Sequence, residues 1–232
     1  MIRLRNTKGR KDRKSILMQE YTQITGMVLK AEPVGEYDRR VVILTKEKGK
    51  ISAFARGARK PNSRLLAATN PFSFGEFKLY AGRNSYTIAE AEITNYFETL
   101  RNDLESAYYG MYFLEVADFY TRENNDEAEM LKLLYQSLRA LLHKNLDNRL
   151  VRLVYECKAM AVNGEFPGVP GDGKLSESAA YTLEFIALTA PEKLYTFMVT
   201  ESVLLELQEV AAKYREKIWE HHFKSLEMLE SL

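Results

Sequence analysis

The chain has few side chains that could cross-link it, hold a metal ion or carry it through a bilayer. One cysteine, Cys157, stands among 232 residues. That excludes an intramolecular disulfide and falls far short of the three or four thiolate or imidazole ligands of a structural zinc site. The three histidines supply no ligand set either: His221 and His222 are adjacent, so they point to different helix faces, and His143 lies far off in sequence. No window approaches the roughly 18 to 20 apolar residues of a membrane crossing. The basic start lacks the apolar stretch and small-residue cleavage site of a secretion signal. The expectation is a cytoplasmic protein with neither metal nor cofactor. Large apolar side chains, by contrast, are plentiful. With 46% hydrophobic residues, 14 Tyr and 11 Phe, the chain can offset the entropy of ordering, which rules out disorder as a whole and implies one large domain or two small ones.

Acidic residues are scarce in one region. Residues 1–100 carry 19 Lys and Arg against 10 Asp and Glu, whereas residues 101–232 carry 14 against 22, so a net charge of +1 conceals two halves of opposite sign. Between 39 and 64 the basic residues are Arg39, Arg40, Lys46, Lys48, Lys50, Arg56, Arg59, Lys60 and Arg64, and Glu47 is the single acid. Such an asymmetry suggests a polyanionic partner for the first half, although most charge runs are merely solvated faces.

Residues 1–17 hold seven basic residues and one acid without sustained periodicity. Two readings stay open: a flexible basic arm, or a non-native extension upstream of a start at Met18. From 24 to about 92 the signal is β. ITGMVLKA, RVVILTK, KISAFAR, PFSFGEFKLYAG and SYTIAEA are short runs rich in β-branched and aromatic residues, separated by turn-forming segments, and they predict a small five-stranded barrel or sandwich. In the fourth run Phe72 and Phe74 share one parity and Phe77 and Leu79 the other, which predicts a switch of the inward face at Gly75-Glu76.

From 102 onward the period is helical. Asn102 with Glu105, and Asp126 with Glu129, have capping-box spacing. Leu131, Leu134, Tyr135, Leu138, Leu141 and Leu142 form one apolar stripe, and Leu150, Leu153, Val154, Cys157, Met160 and Ala161 another. A Gly/Pro-rich linker at 164–174 interrupts, and 176–189 and 200–230 are again helical in composition. The fold class expected is therefore α+β: a barrel domain over 18–100, then an all-α domain over 101–232.

No catalytic constellation emerges. Gly168 to Lys174 matches the first seven positions of a phosphate-binding loop, but Leu175 occupies the Ser/Thr position, a helix rather than a strand precedes it, and Pro170 removes a backbone donor. Cys157 lies on an apolar stripe and reads as core. The feature that stands out is in the third strand, where alternation puts Lys50, Ser52, Phe54 and Arg56 on one face and Ile51, Ala53 and Ala55 on the other. Small barrels bind oligonucleotides across strands two and three, with phosphates on Lys/Arg and bases stacked on aromatic rings. Arg39 and Arg40 close the first loop, Lys46 and Lys48 lie in the second, Arg59, Lys60 and Arg64 in the third connection, and Arg83 in the last hairpin. Phe54 has an alternative reading as a core residue.

Gly26-Met-Val-Leu-Lys30, Gly35-Glu-Tyr-Asp38, Leu44-Thr45, Gly49-Lys50-Ile-Ser52, Gly57-Ala-Arg-Lys-Pro-Asn-Ser-Arg64, Asn70-Pro-Phe72 and Gly75-Glu-Phe77 together resemble the bacterial RecO recombination mediators, as does Tyr155-Glu-Cys-Lys-Ala159 with Asn163-Gly164. The resemblance covers 24–165 well, 175–232 loosely and 1–17 not at all. It implies an N-terminal OB-fold, a helical domain and a non-enzymatic role in recombinational repair. It also implies binding to single- and double-stranded DNA, strand annealing, work with RecR and the single-stranded DNA-binding protein to load RecA, RecF as a further candidate partner, and a nucleoid-associated place in the cytoplasm. Many members carry a four-cysteine zinc module after the third helix. Here only PGVPGDGK stands there, so no such site can form. An RNA-binding OB-fold protein of RNA metabolism remains the alternative, and a hydrolase with a scattered site a third.

Overall fold

The computed structural model describes residues 21–82, 85–171 and 173–231. The basic segment 1–17 and Met18 lie outside the described residues. Five strands, β1 (Tyr21–Val34), β2 (Asp38–Thr45), β3 (Gly49–Ala55), β4 (Phe74–Ala81) and β5 (Tyr86–Asn95), close into a barrel in the order β1-β2-β3-β5-β4. All neighbours are antiparallel except β3 and β5, which run parallel. The barrel, rather than a sandwich, is the outcome, with the OB-fold architecture that the resemblance implies. Period-two alternation decides what fills it: Val41, Ile43, Ile51, Ala53, Ala55, Phe77 and Leu79 point inward and are buried. A short helix, α1 (Leu65–Ala68), lies in the β3–β4 connection, directly after the turn-forming segment 57–64.

The aromatic parity of the fourth strand has a different cause from the one expected. Alternation runs unbroken through β4, with Gly75, Phe77 and Leu79 buried, and Phe74 points out of the barrel, its ring centroid 4.6 Å from that of Tyr135. Phe72 precedes the strand and is buried among the helices. The helical half draws both rings outward, so no inward face switches. The irregularities that bend the barrel sit instead on β5, opposite Phe74/Gly75 and Lys78/Leu79, and on β1 between Val28 and Lys30.

Among the described residues seven α-helices follow, α2 (Glu98–Asn102), α3 (Leu104–Tyr120), α4 (Ala128–Ala140), α5 (Asn148–Val162), α6 (Glu177–Leu188), α7 (Glu201–Ile218) and α8 (Lys224–Glu230), with a short 3-10 turn at Pro191–Lys193 between α6 and α7. The cap of α3 falls one residue beyond Asn102: the Asp103 carboxylate accepts from the Ser106 N–H at 2.9 Å. Asp126 accepts only from the Ala128 N–H at 3.2 Å, and α4 has no side-chain cap at its N-cap Glu127. The two leucine-rich stripes are buried as their spacing requires, except for the half-buried Tyr135 and Ala161 and the solvent-facing Leu142. Helix α5 is buried on nearly every side, including Glu156, 1% exposed. Its carboxylate accepts from Tyr112 Oη at 2.8 Å, Arg152 Nε at 2.8 Å and Arg215 at 2.6 Å, which compensates its desolvation.

The barrel is fixed to these helices at three levels. Met27, Leu29, Leu44 and Phe72 leave the barrel's own core and join the helical one. Asp118 of α3 accepts from Lys30 Nζ at 2.5 Å and from Lys50 Nζ at 2.9 Å, and its carbonyl takes a second bond from Lys50 at 2.5 Å. The backbone of the β2–β3 turn then locks to the α3–α4 connection, Lys50 N–H to Arg122 O at 3.0 Å and Asn124 N–H to Lys48 O at 2.9 Å. Gly49 sits in that lock at φ +65°, and a Cβ there would lie 2.2 Å from the Arg122 carbonyl oxygen. Only glycine fits both the angle and the approach.

Burial alone raises the pKa of Asp118, but the bonds and charges of Lys30 and Lys50 outweigh it and hold the carboxyl below its usual range. A depressed folded-state pKa contributes stability that is complete above the unfolded value of about 3.9 and is lost as pH falls through the folded one. Asp118→Asn is expected to cost on the order of 1–3 kcal/mol at neutral pH and to flatten the decline in melting temperature below about pH 4, read by thermal melts from pH 7 to pH 3. Gly49→Ala is expected to lower the melting temperature at every pH.

Candidate nucleic-acid interface

The cations predicted to form one platform are divided among separate places once the barrel closes. Arg39 shares the inward parity of Val41 and Ile43 and reaches across to the α1 turn, where one nitrogen donates to Leu66 O, Thr69 Oγ1 and Asn70 Oδ1, each at 2.9 Å. Burial lowers its pKa, and the charge of Arg59 lowers it further. Arg39 is thus a fastener for the helix at the barrel end, with one guanidinium nitrogen spent on the α1 turn rather than facing outward with the other cations. Lys50 is likewise committed to the fold, its ammonium held by the Asp118 carboxylate and carbonyl in the seam with the helices. Arg64 stands apart, lining a cleft on the outer face of β4 and β5 with Glu76, Glu90 and Glu92, where phosphate meets repulsion as much as attraction. Arg83 lies outside the described residues.

The remaining cations occupy the two ends of the β2–β3 hairpin. At one end Lys46 is exposed and Lys48 is half-buried, its Nζ 5.8 Å from the centroid of the Tyr86 ring. At the other end, roughly 20 Å along the strands by the usual rise per residue, Arg40, Arg56, Arg59 and Lys60 gather around two aromatic rings. Between the ends the outer face of β2 is closed: Leu44 is buried in the helical core and Val42 packs against it. The helices therefore cover the middle of the surface that alternation alone left open.

The second end holds the densest arrangement. Phe54 lies on the outer face of β3, half-buried and outside both core clusters. Its cross-strand neighbour is Arg40, which is exposed and is steadied by a bond from Nε to Ser52 Oγ at 2.9 Å. Arg56 follows on the same parity and is exposed. The β3–β4 connection folds back on the β1–β2 turn, with Arg59 N–H bonded to Tyr37 O at 2.8 Å and its guanidinium to Gly35 O at 3.2 Å. Lys60 then places its ammonium 5.6 Å from the centroid of the Tyr37 ring, a cation–π geometry. The neighbouring Glu36 carboxylate raises the pKa of the Tyr37 hydroxyl. Among the described residues none of Arg40, Arg56, Arg59 or Lys60 is in an ion pair, although Glu32 faces Arg40 across β1 and β2.

Sequence reasoning missed Tyr37. It is 43% exposed, and the signal was present in an aromatic residue placed inside a turn that leads into two arginines. It also missed the role of Arg39, although the parity of Arg39 with Val41 and Ile43 was legible. Nothing in the sequence pairs Asp118 with Lys30 and Lys50, since 88 and 68 residues separate them. What the assembled edge offers chemically is four positive charges outside any ion pair among the described residues, with Glu32, Glu36 and Asp38 nearby, beside the rings of Phe54 and Tyr37, a combination suited to phosphates and unstacked bases. Elsewhere, among the described residues no three His, Cys, Asp or Glu side chains converge as metal ligands, and no helix is long and apolar enough to cross a membrane.

Comparison with known proteins agrees with this architecture. Residues 18–97 match the family model described as the N-terminal part of recombination protein O, and residues 101–169 match that of its C-terminal part. The DNA repair protein RecO of Acetivibrio thermocellus is 30% identical over 91% of this chain and 97% of its own length. That of Clostridium novyi is 26% identical over 89% and 92%, and that of Bacillus pumilus 36% identical over 61% and 55%. The barrel and the helices packed on it thus fall within the two matched segments, and the chain belongs to the RecO family.

Proposed function

We infer that this protein is a DNA-binding recombination mediator in the repair of gaps and breaks, and that it anneals complementary strands without bond-making chemistry. The observation that carries the reading is the cluster of unpaired Arg40, Arg56, Arg59 and Lys60 beside Phe54 and Tyr37. Annealing requires two polyanions to approach each other. Cations on phosphates reduce their repulsion and leave base edges free, because phosphate contacts carry no sequence information. The rings of Phe54 and Tyr37 hold bases unstacked and available for pairing. Lys46 and Lys48, at the far end of the hairpin, extend the track beyond the covered middle. In this reading the acidic helical half repels DNA and serves protein contacts, and the partners are RecR, the single-stranded DNA-binding protein, RecF and RecA.

Strand annealing with and without the cognate single-stranded DNA-binding protein tests the activity directly. Acceleration of pairing in both conditions is expected, and no acceleration in either overturns the reading. Tighter binding to RNA than to DNA of the same sequence favours RNA metabolism instead.

The site has its own test. Arg56→Glu combined with Lys60→Glu is expected to weaken single-strand binding and to flatten its log–log salt dependence by about 0.7 per lost contact, whereas Lys50→Glu destabilises the fold and leaves the slope unchanged. An unaltered slope in the double variant overturns the assignment of this edge. Phe54→Ala is expected to cost about 1–3 kcal/mol of binding with little change in melting temperature, in contrast to Phe77→Ala in the barrel core, which costs about 3–5 kcal/mol of stability.

A further inference from the structure

The helical half carries an apolar surface that its fold does not use. Helix α6 has a groove on each side. One has a volume of about 810 Å³ and is lined in part by Val169, Tyr181 and Leu188. The other, about 490 Å³, lies between α6 and the segment leading into α7 and is lined in part by Tyr181, Phe197 and Met198. Tyr181 forms the ridge between them. These side chains are far from buried: Tyr181 is 68% exposed, Leu188 79% and Met198 73%. Large exposed apolar residues that cluster around a concavity mark an interaction surface, whereas scattered ones need no explanation.

Charge decides what fits. Glu177 and Glu184 line the first groove, and among the described residues neither is in an ion pair. The half around them carries a net negative charge, with 22 Asp and Glu against 14 Lys and Arg in residues 101–232. A second copy of this chain seated on the same surface would bring like charges together across an apolar contact, which opposes pairing. DNA is repelled for the same reason. The surface is complementary to an apolar segment flanked by lysines or arginines. It also lies outside the segments matched by the family models, the second of which ends at residue 169, apart from Val169, Phe166 and Gly168 at its edge.

We propose that the paired grooves of α6 dock a basic amphipathic helix presented by a separate protein, with apolar residues seated on either side of Tyr181 and cations facing Glu177 and Glu184. The helix lays its apolar face into the grooves as helix-in-groove complexes do. This surface is independent of the barrel edge assigned to DNA, so either assignment can fail without the other.

The test uses the full chain and a labelled helical peptide of leucine and lysine, with a matched peptide of leucine and glutamate as the comparison, in fluorescence anisotropy. Saturable one-to-one binding of the basic peptide, about tenfold or more tighter than the acidic one, is expected. Tyr181→Glu with Leu188→Glu is expected to abolish it while melting temperature and single-strand DNA binding stay at the parent values, because both positions are exposed. Glu177→Lys with Glu184→Lys is expected to reverse the preference between the two peptides. Equal binding of both peptides, or retention of binding in the Tyr181/Leu188 variant, overturns the proposal. So does sedimentation as a dimer that those substitutions dissolve, which makes a second copy the occupant. Binding that emerges only after removal of residues 1–17 overturns it as well, since the chain's own basic segment then occupies the grooves.

Discussion

A single carboxylate near the C-terminal end of α3, Asp118, holds the barrel on the helices by accepting from lysines on two different strands. Two ammonium groups converging on one anion would be a liability if the geometry slipped, because removing the anion leaves both without compensation in a half-buried seam. The backbone lock at Gly49 prevents the slip. With no Cβ in the way, the β2–β3 turn comes against the α3–α4 connection and exchanges two main-chain hydrogen bonds with it. Met27, Leu29, Leu44 and Phe72 can then enter the helical core, while the barrel keeps its own.

This docking decides which part of an otherwise generic barrel remains available. Helical side chains close over Leu44 and Val42, and Lys50 is drawn into the seam. What stays open is the end where the β1–β2 turn meets the β3–β4 connection, and there the cations outside ion pairs gather with the rings of Phe54 and Tyr37. The proposed division of labour follows from electrostatics: a basic edge on one half for polyanions, an acidic surface with apolar grooves on the other for a basic helix. Opposite charge on the two surfaces keeps each from capturing the other's ligand.

The barrel was legible because its signal is local. Alternation over seven or eight residues places Ile51, Ala53 and Ala55 inside and Phe54 outside, and the structure agrees. The helical stripes were legible for the same reason, with the α3 cap misplaced by one residue because Asp103 competes with Asn102 for the same role. Long-range pairing was not legible. Phe72 and Phe74 look like a barrel-face anomaly until the helices that attract them are in place, and Lys50 looks like a DNA contact until Asp118 reaches it from 68 residues away. The charge count of the segment 39–64 was correct as a count and misleading as a map, since two of its nine cations, Arg39 and Lys50, hold the fold together.

The central claim is that nucleic acid meets the chain at the end of the barrel left open by the docked helices. Hydrogen–deuterium exchange of the full protein, with and without a single-stranded oligonucleotide, reads this segment by segment. The account predicts new protection confined to residues 35–40 and 54–60, with smaller changes at 46–48 and none on α6. Protection centred on β4 and β5, or on the acidic helices, would contradict it.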